Sequence, residues 1–161
     1  MFTKRDVFTE SYLPRDLPGR EAELDALADI LQPAADGDAA ESCWEFGPSG
    51  VGKTSTARYL LEDLRVNHLV NSTRVECVGS TRWELLSEIC GAHPRVPHHS
   101  GMGTAEMIAK LEACTEEPYV VILDEFDGLE DPELLIDLDG IEMVSLICIG
   151  HEPEDPHSIV P

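Results

Sequence analysis

One stretch of the sequence decides the fold: Gly47-Pro48-Ser49-Gly50-Val51-Gly52-Lys53-Thr54. It has the pattern G-x-x-x-x-G-K-[ST], which marks a phosphate-binding loop when a strand precedes it and a helix follows it. Both neighbours are predicted here, a short strand at 43–46 and a helix at 54–64. The glycines let successive N–H groups turn inward, and the N-terminus of the helix attracts anions. The stretch and the following Ser55 therefore predict an ATP site, with Lys53 on the β- and γ-phosphates and the Thr54 hydroxyl on Mg²⁺.

A second acidic segment completes the predicted site. Residues 119–123 are nearly all β-branched or apolar, which is typical of a strand buried on both faces of a parallel sheet, and Asp124-Glu125 follow directly. Ligands of such sheets bind at the carboxyl ends of the strands. Asp124 fits a carboxylate that orients magnesium, and Glu125 fits a base that polarises the attacking water. The alternative is that both are surface acids in an acidic chain.

The remaining pattern alternates strands with helices, which predicts a parallel sheet. The fold class is α/β, a P-loop NTPase sandwich of three layers. Two more strands are predicted at 74–78 and 143–149, and helices at 21–31, 81–90, 104–114 (capped by Thr104) and 133–138. Residues 33–40 and 91–103 read as connections.

Composition bounds the class of protein. The chain has 161 residues, 42% of them hydrophobic, which fits one globular domain. No apolar run approaches the roughly 20 residues that span a bilayer, so we expect a cytoplasmic protein and no membrane partner. The net charge of −21 comes from dispersed acids with few lysines, and it indicates adaptation to concentrated salt, where charges are strongly screened. Five cysteines without a C-x-x-C pair indicate buried free thiols.

The motifs resemble the AAA+ ATPases and, more narrowly, the archaeal origin-recognition and cell-division-control replication initiators. The similar segments run from position 12 to about position 150. The segment 123–129 is the most distinctive of them when it occurs together with the glycine loop. The resemblance implies that Tyr12, Pro14 and Arg20 contact the base or ribose of ATP, although a turn and a helix start explain them equally. It divides the chain into an N-terminal arm, 1–19, and an ATPase core, 20–161.

The resemblance also implies partners, namely origin DNA and other initiator or AAA+ subunits. The segment 98–114 would correspond to the family's DNA-contacting insertion, but Lys110 is its only lysine or arginine, and phosphate contact favours several. The family's polar sensor after the fourth strand is replaced by His151, which would contact the γ-phosphate or the water, or is simply a loop histidine. Because the sequence stops at Pro161, we expect the fifth strand, arginine finger, lid and winged-helix domain to be absent.

Two consequences of that expectation concern the edge of the sheet and the rate of hydrolysis. The strand at 43–46 would lose its neighbour and become an edge. Hydrolysis would be weak without a partner's arginine, because arginine fingers raise the rate by about 10³–10⁵.

Other functions and sites stay open. A nucleotide switch that regulates a protein partner uses the same core, and a small-molecule kinase carries the same loop but needs a basic lid. A zinc site formed by Cys90, His93, His98 and His99 is disfavoured by irregular spacings and two intervening prolines.

Overall fold

The computed structural model describes residues 29–47 and 53–151. Within these residues, four strands form one parallel sheet in the order β1-β4-β3-β2. The strands are β1 (Cys43–Gly47), β2 (Asn71–Glu76), β3 (Tyr119–Asp124) and β4 (Val144–His151). The predicted arm residues Tyr12, Pro14 and Arg20, and positions 48–52 of the glycine loop, lie outside the described part of the chain.

Five helical segments flank the sheet in the described residues. These are α1 (29–35), α2 (Lys53–Asn67), α3 (Arg82–Ala92), α4 (Thr104–Cys114) and α5 (Glu133–Asp139). A 3₁₀ turn, Phe126–Gly128, follows β3. None of the helices in the described ranges is long and apolar enough to cross a membrane.

Two apolar clusters on opposite faces of the sheet make the three layers. On one face Val121 and Leu123 pack with apolar residues of α3, α4 and α5. On the other face Val120 and Ile122 pack with Leu64 of α2 and with α1. Residues alternate between faces along a strand, so a strand buried on both sides reads as an unbroken apolar run. The predicted α/β sandwich with a parallel sheet is confirmed.

Several boundaries differ from the prediction. β2 begins at Asn71, three residues earlier than predicted, and ends before Cys77. Its polar residues carry little strand signal, and backbone pairing with β3 from Tyr119 onward decides its extent. α2 is longer than predicted and ends at Asn67.

The helix that was predicted to end at Leu31 instead continues through Pro33 to position 35. Proline costs a helix one hydrogen bond and a steric conflict with the preceding turn. Leu31 and Ala34 are both buried in the same apolar cluster, and this burial offsets the cost.

The two helices after β2 begin differently. Thr81 caps α3 in a capping box, in which its hydroxyl accepts from Glu84 N and the Glu84 carboxylate accepts from Thr81 N. The prediction that Thr104 caps α4 is wrong, because the cap position is Gly103 and makes no side-chain hydrogen bond. Thr104 is the first residue of the helix itself.

Candidate functional site

The carboxyl ends of the four strands lie together at one edge of the sheet. Gly47 of β1 pairs with His151 of β4, and Asp124 of β3 pairs with Ile149 of β4. One strand separates β1 from β3, so Asp124 lies about two strand spacings, on the order of 10 Å, from β1. The edge is the one at which parallel α/β sheets bind their ligands.

Asp124 and the helix after the glycine loop lie on the same side of the sheet. Residues two apart on a strand share a face. Val120 and Ile122 pack against Leu64 of α2, and Asp124 continues the same series. The opposite placement would have separated the two halves of the predicted site.

The glycine motif has the predicted strand before it and the predicted helix after it. β1 ends at Gly47, and α2 begins at Lys53, so that Lys53, Thr54 and Ser55 occupy the first turn of the helix. A helix N-terminus presents unpaired N–H groups and a partial positive charge to an anion. The positions of these residues along the backbone therefore suit phosphate binding.

Asp124 is almost completely buried and strongly hydrogen-bonded. Its side chain is 3% exposed, and its Oδ2 accepts from Arg74 Nε at 3.0 Å and from Arg74 Nη2 at 2.5 Å. Its Oδ1 accepts from the backbone N–H of Glu125 at 3.0 Å. Both carboxylate oxygens are therefore engaged by groups of the protein, one of them by a charged guanidinium from the neighbouring strand β2.

Glu125 turns the chain sharply away from the sheet. It has φ 51° and ψ 45°, in the left-handed region, and it precedes the 3₁₀ turn. This conformation is costly for a residue with a Cβ and is often found at functional sites. Packing stabilises this turn, because the buried side chain of Phe126 lies against Gly150 of β4, the residue before His151.

The electrostatic field at the strand ends is negative. The pKa of the Cys77 thiol is raised to about 12, mainly by burial and further by the carboxylates of Asp124, Asp127, Glu125 and Glu76. A triphosphate entering this field is repelled unless a cation accompanies it.

The residues fit magnesium by chemistry. Mg²⁺ prefers hard oxygen ligands such as carboxylates and keeps most of its waters. Asp124 supplies a buried carboxylate in a negative field, and Thr54 is the second residue of the helix on the same face. These two residues would hold the ion, which would screen the phosphate charge.

One alternative placed His151 in a loop, and the structure places it in a strand instead. It is the last residue of β4, and its backbone lies beside Gly47 at the start of the glycine motif. A contact of His151 with the γ-phosphate or the attacking water stays a prediction.

The four residues of the zinc site considered above have other partners. His99 Nδ1 accepts from the backbone N–H of Gly101 at 3.2 Å. His93 Nε2 lies 3.3 Å from Thr115 Oγ1, and His98 Nε2 lies 2.9 Å from Ser87 Oγ. The Cys90 thiol lies 3.7 Å from the Met107 carbonyl oxygen. Within the described ranges, no group of three His, Cys, Asp or Glu residues is arranged to hold a metal ion.

Arg74 is the residue of this site that the sequence did not single out. An arginine inside a short, mostly polar strand that also holds Glu76 is a weak signal, and its partner is 50 positions away in the chain. Only the pairing of β2 with β3 brings the two together, since the register places Glu76 beside Asp124 and Arg74 two residues earlier on the same face.

Comparison with protein-family models matches residues 16–140 to the AAA ATPase domain. Among curated proteins, the chain is 35% identical over 159 residues to ORC1-type DNA replication protein 1 of Halobacterium salinarum, which covers 96% of this chain and 52% of that protein. It is 34% identical to ORC1-type DNA replication protein 9 of the same organism, covering 45% of its length. The chain spans about half the length of these relatives.

Solved structures show the same fold. The Aeropyrum pernix ORC1 protein, solved in complex with DNA, matches with a TM-score of 0.65 and 28% identity over 93% of this chain and 43% of that one. Cdc6p of Pyrobaculum aerophilum matches with a TM-score of 0.69 and 23% identity over 96% of this chain and 46% of that one. The resemblance to archaeal replication initiators drawn from the sequence is confirmed.

Proposed function

Because the chain belongs to the AAA ATPase domain family, we propose that it binds ATP with Mg²⁺ as the nucleotide-binding part of a DNA replication initiator. One observation carries the nucleotide proposal. The helix that begins at Lys53 and the buried carboxylate of Asp124 lie on one face of the sheet, at the ligand-binding edge.

Backbone and side-chain groups of the site bind different parts of ATP and Mg²⁺. Backbone N–H groups of 47–54 surround the phosphates, and Lys53 neutralises the β- and γ-phosphates. Thr54 and Asp124 would hold a magnesium ion, which would neutralise phosphate charge. Tyr12, Pro14 and Arg20 contact the base or ribose.

Hydrolysis is proposed to be slow in this chain by itself. Glu125 accepts the proton of the attacking water, and His151 orients the water or the γ-phosphate. An arginine from another subunit completes the transition-state stabilisation, which is worth about 10³–10⁵ in rate where it has been measured. Assembly with other initiator or AAA+ subunits is therefore part of the proposal.

The similar proteins support the initiator role. Two of the relatives are named as DNA replication proteins, and one of the similar structures was solved in complex with DNA. The net charge of −21 opposes DNA binding except where salt screens it. Origin fragments and matched random fragments should be compared at molar KCl. Preferential binding of the origin fragments supports the initiator role, whereas equal or absent binding favours a regulator of a protein partner.

The nucleotide proposal is tested by equilibrium dialysis of ATP with Mg²⁺ in concentrated KCl. We expect Lys53→Ala to lose about 2 kcal/mol or more of binding, roughly thirtyfold in affinity. Arg95→Ala is the control, because Arg95 is exposed and its guanidinium lies 3.9 Å from a surface carboxylate of Glu116. Affinity retained within a few-fold in Lys53→Ala would contradict the proposal.

A further inference from the structure

The inference concerns Arg74 and rests on the proposed nucleotide site. Arg74 lies on β2 and gives two N–H groups to the same oxygen of Asp124, at 3.0 and 2.5 Å. Asp124 is the residue proposed to hold magnesium. The described contacts thus place a guanidinium on the carboxylate that the cation also needs.

A buried carboxylate needs a positive partner. Removing the counter-charge from a buried ion pair is strongly destabilising, because the remaining charge is left without solvent. Asp124 has a 3% exposed side chain, and three further carboxylates act on the same region. Arg74 is well placed to compensate this negative field in the absence of a metal.

A cleft beside Arg74 has room for a second position of its side chain. This side chain is 20% exposed and lines a cleft of about 700 Å³ beside β2, whose other walls come from α2 and from the end of α3 and the residues after it. The cleft is bordered by Thr73, Arg65 and Leu69 among others. A rotation of the long arginine side chain into this space leaves the backbone pairing of β2 and β3 intact.

We propose that Arg74 is a built-in counter-ion of Asp124 that competes with Mg²⁺ for this carboxylate and so sets the magnesium dependence of nucleotide binding. Arg74 is a positioning residue, since it acts through Asp124. In the magnesium-free protein it holds Asp124 in place and keeps its charge compensated. In the magnesium-bound protein the guanidinium occupies the cleft beside β2.

A counter-ion that competes with Mg²⁺ and a merely structural ion pair differ in how the loss of Arg74 changes the Mg²⁺ dependence of ATP binding. Without Arg74, the Asp124 carboxylate loses one positive neighbour, so it repels a magnesium-free triphosphate more strongly and accepts a divalent cation more readily. Arg74→Gln should therefore weaken ATP binding in EDTA and lower the Mg²⁺ concentration at half-maximal ATP binding. A structural pair alone would weaken binding equally at every Mg²⁺ concentration and leave the midpoint unchanged.

The experiment titrates Mg²⁺ against ATP binding at fixed KCl for four proteins. We expect the midpoint of Arg74→Gln to fall about tenfold, the order expected for losing a charge-assisted partner. Arg74→Lys should restore a midpoint close to that of the wild type, because the charge is kept. Arg65→Gln is the matched control, because Arg65 lines the same cleft from α2 but is exposed, and its midpoint should not change.

A second measurement keeps the two proposals separate. Mn²⁺ binding without nucleotide, followed by electron paramagnetic resonance, should be about tenfold tighter in Arg74→Gln than in the wild type. If the wild type binds Mn²⁺ in this way but no ATP, the nucleotide proposal fails and the inference on Arg74 stands. An unchanged Mg²⁺ midpoint together with unchanged Mn²⁺ affinity overturns the inference, whatever the ATP affinity.

Discussion

Substituting Gly150 tests how the packing under the 3₁₀ turn supports the site. A Cβ at this position would lie 2.8 Å from Phe126 Cε1, 3.0 Å from Phe126 Cδ1 and 3.0 Å from Asp127 Oδ1. Carbon atoms in good contact are about 3.5–4.0 Å apart. The Phe126 side chain is buried, so it has no solvent-filled space to move into.

The expected loss follows from these distances. One extra methyl group in a packed core costs about 1–3 kcal/mol, which exceeds the roughly 0.4–1 kcal/mol gained by restricting the unfolded chain. For a chain of 161 residues, each kcal/mol lowers the midpoint of thermal unfolding by about 2–4 °C. Gly150→Ala should therefore unfold at a temperature lower by several degrees in circular dichroism melts at constant KCl.

Gly91→Ala is the matched control, with the opposite sign. Gly91 lies in α3, and its added Cβ would be 3.7 Å from His98 Nδ1, an ordinary contact. Alanine in a helix is favoured over glycine by about 0.5–1 kcal/mol, so this variant should melt at a higher temperature. If Gly150→Ala melted at or above the wild-type temperature, the packing of Phe126 on β4 described above would be refuted.

Three further predictions concern the site and the core. Glu125→Gln should bind ATP like the wild type but lose residual phosphate release in a coupled assay, and unchanged release would exclude Glu125 as the base. Tyr119→Phe should lose about 1 kcal/mol in urea unfolding, because the buried Tyr119 hydroxyl donates to Ile89 O at 2.6 Å; a loss near zero would contradict this bond. His93 is buried and accepts from Arg95 N, and burial, followed by the charge of Arg95, lowers its pKa from 6.5. As pH falls, the histidine of the unfolded chain is therefore protonated before that of the folded protein. The free energy of unfolding should decrease as pH drops below about 6.5, the pKa of an unperturbed histidine, and by more than in His93→Gln. Equal pH dependence in the two proteins would mean that His93 is not the group responsible.

Local sequence pattern was sufficient to predict the class of fold, and it placed the glycine motif and Asp124 on the elements that the structure shows around them. The glycine motif is contiguous, and its chemistry depends on a strand before it and a helix after it, both of which have short-range signals. The apolar run before Asp124 predicted β3 for the same reason, since burial on both faces leaves an unbroken hydrophobic stretch. The roles of Tyr12, Pro14 and Arg20 stay predictions, as they lie outside the described residues.

Boundaries and partners depended on interactions between distant parts of the chain. β2 is polar and was displaced by three residues in the prediction, because its pairing with β3 decides where it begins. α1 passes through Pro33 because apolar burial on the sheet outweighs a local preference to stop.

The sequence by itself determined the motifs, the order of strands and helices along the chain, and the position of Asp124 at the carboxyl end of a strand. Only the tertiary structure decided that Asp124 shares a face with α2 and that Arg74 holds its carboxylate. The physical reason is that a motif is read along the chain, whereas an ion pair depends on strand register. A register shift of one residue would turn Arg74 to the other face.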